Sequence, residues 1–151
     1  MKSFEIVIAI VGAVVALLFL PMAVKAKTAS DGMETYAESG LDKMCSDISA
    51  DNKLDTVRIG EFTQLLMDCG YTGEFKITVY TYENAVNGSV HRYTVEWEEM
   101  LGILETEGIF VFPEDCYIRV EVPGVSMDNI LLTYLFGRAA MEKPVILGNG
   151  M

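Results

Sequence analysis

Histidine is nearly missing: His91 stands alone in 151 residues, which removes most zinc sites and the usual nucleophile–base pairs. Cysteine is scarce too, and Cys45, Cys69 and Cys116 form an odd set without the close spacing of metal ribbons or redox motifs. At most one disulfide can form among them, its pairing left open; the alternative is a set of buried thiols. Bases are outnumbered two to one, with 11 Lys and Arg against 22 Asp and Glu and a net charge of −11. That balance disfavours nucleic acid and anionic headgroups as partners and fits a solvated, self-repelling exterior. Ser, His and Cys show no catalytic spacing, and neighbouring acids such as Glu98 and Glu99 read as solvated surface, so an enzyme is the weakest class. No cofactor and no metal are expected.

What the chain does have is an apolar opening, "MKSFEIVIAIVGAVVALLFLP", in which 19 uncharged residues run from Ile6 to Val24 behind a single acid, Glu5. As helix this run spans about 28 Å, close to the roughly 30 Å of bilayer hydrocarbon. A cleavable signal peptide is the rival reading, with Lys2 as its basic start and a small-x-small site ending at Ala26, but the run exceeds the usual apolar core of such leaders. Gly12 and Pro21 each weaken helix locally. The division expected is a transmembrane or filament-core segment over 1–27, then an acidic head over 28–151 that includes the outer half of the same helix.

From Met22 the apolar residues Met22, Ala26, Ala29, Met33, Tyr36, Leu41, Met44 and Ile48 recur at helical spacing, predicting one helix from about Ser3 to Ser49, roughly 70 Å long. Gly32 and Gly40 are expected where another backbone comes close. "SADNKLDT" breaks the pattern. A second helix over about Thr56–Cys69 follows, with Asp55 as cap, Leu54 and Ile59 as a hydrophobic staple, Gly70 as stop, and Ile59, Phe62, Leu66 and Cys69 inward. The acids Asp47, Asp51 and Asp55 cluster with Asn52, but their spacing matches no calcium loop and reads as a solvated turn.

Alternation then places Phe75, Ile77 and Val79 on one face of a strand and Tyr93, Val95 and Trp97 on one face of the next. Asn87-Gly88 is a favoured hairpin turn and, with Ser89, a glycosylation sequon; His91 reads as a strand-end hydrogen bonder. A short helix or turn over Glu98–Glu105 precedes a third strand with Ile118, Val120 and Val122 inward, and "PVILGNGM" offers a last strand. The fold class expected is therefore α+β: a long N-terminal helix covering a small antiparallel sheet, with short extra helices. In the tail, "SMDNILLTYLFGRAAM" starts with Ser126 as cap and is too apolar for a surface helix, so it must be covered, either by the head or by another subunit.

An acid at position 5, an unbroken apolar stretch and a proline near its end resemble the type IV pilins and pseudopilins. The small body without a C-terminal disulfide loop looks more like the tight-adherence branch and its Gram-positive relatives. The resemblance covers about 25 residues directly. It implies that a prepilin peptidase cuts before Met1, that Glu5 pairs with the terminal amine of a neighbouring subunit, that Pro21 marks the kink, and that Gly12 lets helices approach. It also implies a structural subunit held in the cytoplasmic membrane before assembly machinery builds it into a helical cell-surface filament, a fimbrium of the kind used in cell adhesion. The alternatives are a minor pseudopilin of a secretion or DNA-transfer machine, and a single-pass anchored binding domain that does not polymerise.

Overall fold

The computed structural model describes residues 2–84 and 90–148. Met1, the Asn87-Gly88 turn with its sequon, and the side chain of His91 lie outside what is described. The fold is α+β: a 50-residue apolar-to-amphipathic helix, an antiparallel sheet and several short helices.

Helix α1 covers Lys2–Asp51, about 75 Å of rod. It stays helical through Gly12 and Pro21, although an interior proline costs on the order of 3 kcal/mol of helix propensity. It ends where Asn52 takes φ 53°, a left-handed conformation that Asn tolerates better than most residues. Its buried face is Ser30, Ala37, Leu41, Met44, Cys45 and Ile48, which corrects the expected stripe, because Met33 and Tyr36 are 45% and 60% exposed. Two neighbouring registers satisfy the same three-and-four spacing, and the larger side chains suggested the wrong one. Small residues were the better guide. Gly40 shows why: a Cβ there would stand 2.7 Å from both δ carbons of Leu65, so the close neighbour is a side chain of the next helix rather than a backbone. Gly32 has open space around it and marks no close approach.

Strand β1, Lys53–Asp55, pairs antiparallel with β4, Ile109–Val111, in a two-stranded ribbon that buries Leu54 and Phe110. Three-residue strands are too short to show alternation, so neither was expected from the sequence. Helix α2, Thr56–Asp68, begins as expected, with Asp55 Oδ1 accepting from the Arg58 amide at 2.7 Å. Phe62, Leu66 and Cys69 are buried, and Gly70 turns the chain away at φ +86°.

The main sheet has the order β3-β2-β5-β6, every neighbour antiparallel. Its strands are β2 (Lys76–Asn84), β3 (Val90–Val95), β5 (Cys116–Val122) and β6 (Met141–Leu147). The minimum of three strands is thus exceeded by β6, an edge strand that accommodates Pro144 because one side of an edge need not pair. Trp97 leaves the expected strand and opens helix α3, Trp97–Glu107, from which its ring still meets Phe75 with centroids 5.2 Å apart. One core joins α1, α2 and α3 to the inner sheet face through Ile48, Leu66, Met100, Ile77, Ile118 and Val120, none more than 0% exposed.

The apolar tail forms α4, Ile130–Phe136, and its cap is Asn129 rather than Ser126: Asn129 Oδ1 accepts from the Leu131 amide at 2.8 Å. The head covers it only in part. None of its residues is buried.

Candidate functional site

The feature to explain is the free half of α1. From Lys2 to Ala29 its residues are exposed, apart from the partly covered Ala23 and Ala26. Phe19 is 68% exposed and Leu17 73%, in a stretch of apolar residues that soluble proteins do not leave bare. Among the described residues, α1 is the helix long and apolar enough to cross a membrane.

Helical arithmetic sorts the candidate residues on this rod. Glu5, Ala9, Gly12 and Ala16 follow each other by three and four, so they share one face, and the same spacing continues through Ala23 to Ser30, where head packing begins. Gly12 has nothing within 4 Å. A row of small side chains with an acid at its outer end therefore lies on the side of the rod that the head occupies further along. Pro21 falls on nearly the opposite side and joins neither group. Glu5 stands in the first turn of α1, where the helix dipole favours negative charge.

The neck is built by one cation that sequence reading passed over. Arg138 Nη1 donates to the hydroxyl of Ser30 and, at 3.2 Å, to the carbonyl of Phe136, while Nε donates to the carbonyl of Cys69 at 3.2 Å. Its backbone also pairs with Val125, with amide–carbonyl distances of 2.9 and 3.0 Å, which closes residues 126–137 into a loop. Closing it that tightly requires Gly137, since a Cβ would meet the Thr133 carbonyl oxygen at 2.3 Å. Nearby, the Tyr71 hydroxyl donates to the Ala139 carbonyl at 3.2 Å, and burial pushes its pKa up to about 12. Arg138 is thus a clip between α1, the end of α2 and the α4 loop. The available signal was a lone arginine directly after a glycine in an otherwise apolar tail.

The remaining candidates are dispersed. Cys45, Cys69 and Cys116 are separate buried thiols, so the disulfide alternative gives way to the thiol one. Burial raises the pKa of all three, that of Cys45 from 9.0 to about 11. The acid cluster is used structurally: Asp55 caps α2 and Asp51 pairs with Arg58. Among the described residues no group of three or more His, Cys, Asp or Glu could hold a metal. An open groove of about 610 Å³ between α2 and the sheet end has Ile59, Phe75 and Trp97 as apolar lining and Glu74, Lys76 and Glu121 as charged lining.

No family model, no curated protein and no solved structure matches the chain.

Proposed function

We propose that this protein is the structural subunit of a type IV pilus-like surface filament, held in a membrane by residues 6–24 and polymerised through the same segment. The observation that carries the reading is the bare half of α1, continuous with the helix that forms the head's core and bearing one acid at the start of its apolar run. A lipid bilayer and a dry bundle of helices are similar solvents for such a rod. Moving it from one to the other costs little once neighbours pack against the row of Ala9, Gly12 and Ala16. The heads, with their acidic surface, then face outward.

Glu5 gives the bundle its register. A carboxylate near the bilayer edge is tolerated, but one inside a waterless bundle stays ionised only beside a cation. The terminal amine of an adjacent copy is the partner this reading supplies, and a single buried polar pair fixes axial position as it does in coiled coils.

The test is Glu5→Ala in the full-length protein, followed by membrane fractionation, thermal unfolding of the head and electron microscopy of sheared surface material. Insertion and head stability are expected to match wild type while ordered fibres become at least tenfold rarer. Fibres of normal number and order from this variant would overturn the mechanism. A detergent-stable monomer that never forms fibres, in wild type as in the variant, would favour an anchored binding domain instead.

A further inference from the structure

The α4 loop presents its large apolar side chains to solvent: Ile130 is 91% exposed, Tyr134 76% and Leu131 64%. A seven-residue helix with this exposure has no reason to be ordered for its own sake. Yet it is held at both ends, by the Asn129 cap and by the Arg138 clip on Ser30. Thr133 Oγ1 adds a hydrogen bond to the Met127 carbonyl at 2.7 Å and accepts from the Met127 amide at 3.0 Å. The loop is fixed in place with its oily side outward.

Its position says what that side meets. The loop packs on α1, and Ala23 and Ala26, the first α1 residues to lose exposure, share the face of Ser30. Ala23 belongs to the apolar run that ends at Val24, and Ser30 is only about 9 Å further along the rod. When residues 6–24 cross a bilayer, α4 therefore stands at the level where hydrocarbon gives way to headgroups. We propose that Ile130, Leu131 and Tyr134 dip into the headgroup and acyl boundary of the membrane that holds α1, as a second, interfacial contact. This rests on reading residues 6–24 as an inserted span. An aromatic hydroxyl beside aliphatic side chains is the composition that favours this layer, and the loop itself carries one acid, Asp128, while Lys27 on α1 is paired with Asp31.

The experiment uses the full chain with Trp97→Phe, reconstituted in phosphatidylcholine vesicles, with a single tryptophan introduced in turn by Ile130→Trp, Leu131→Trp, Leu18→Trp or Ile146→Trp. All four positions are exposed, so the substitutions leave the core alone. Quenching by phosphatidylcholine brominated near the headgroup end of the acyl chain is read for each. The expected result is at least twofold stronger quenching at positions 130 and 131 than at Ile146, on the outer sheet face, together with strong quenching at Leu18 by deeply brominated lipid. Quenching at Leu18 with none at 130 and 131 overturns the interfacial contact and leaves the span standing. No quenching at Leu18 overturns the span and this inference with it. A blue shift at 130 that grows with protein-to-lipid ratio but ignores bromine means that a second copy covers the face, which also overturns the proposal.

Discussion

Ile48→Ala and Leu18→Ala are the same kind of truncation on one helix, yet they should behave as if on different proteins. Ile48 is 0% exposed and packed in the head core, whereas Leu18 is 63% exposed on the free half. Removing three carbons from Ile48 at about 0.8 kcal/mol each gives about 2.4 kcal/mol, and the residual cavity raises the cost to about 3–4 kcal/mol. For a head of this size that is a fall of about 10–15 °C in Tm. Trp97 is the sole tryptophan and packs, half-buried, against the core residue Phe75, so its fluorescence in detergent-solubilised full-length protein reports head melting. Leu18→Ala should leave that Tm within about 1 °C, since no head residue touches it. Equal shifts for the two variants, or a loss below about 1 kcal/mol for Ile48→Ala, would refute the division of α1 into a core half and a free half.

Gly40→Leu should destabilise the head by at least about 2 kcal/mol in the same melt, whereas Gly40→Ala should stay within about 1 kcal/mol of wild type, because the Leu65 tip can swing away from one added methyl but not from a branched side chain and Ala gains helix propensity over Gly. Head stability should also depend on pH through the thiols. Burial holds Cys45 protonated to about 11 in the fold against about 9 when unfolded. Its contribution is therefore fully present below pH 9, falls as pH rises from 9 to 11, and is lost above that. Denaturant titrations at pH 8, 9.5 and 11 check the trend, which Cys45→Ala should flatten; a rise in stability over that range would contradict the burial argument.

Much of the fold was legible because single residues carried decisive physics. Asp55 and Gly70 bracket α2 since an unpaired helix end needs an acceptor at its start and a left-handed residue at its stop. The alternation of β5 is visible in Cys116, Ile118, Val120 and Val122 because one face of that strand meets only core. Other features depended on partners far along the chain. The register of α1 was misread because Leu65, which explains Gly40, belongs to another helix, and the ribbon of β1 and β4 is held by pairing across more than fifty residues. Within the candidate site, Glu5 announces itself as a charge beside an apolar run. Ser30 and Arg138 do not, being separated by 108 residues and meaningful only as a pair. The tail reads as too apolar for a surface helix and in need of cover, yet the head leaves Ile130, Leu131 and Tyr134 exposed, because whether a neighbour packs on a short helix depends on distant residues and not on its own composition.

The edge strand β6 has one further consequence. Copies crowded together on a surface or in a polymer bring open sheet rims within reach of one another, and a rim with a full complement of amide donors is an invitation to uncontrolled strand-to-strand annealing. Pro144 withdraws a donor from the middle of that rim. The β6 rim is thereby a poor template for annealing, which leaves β3 as the sheet's other edge.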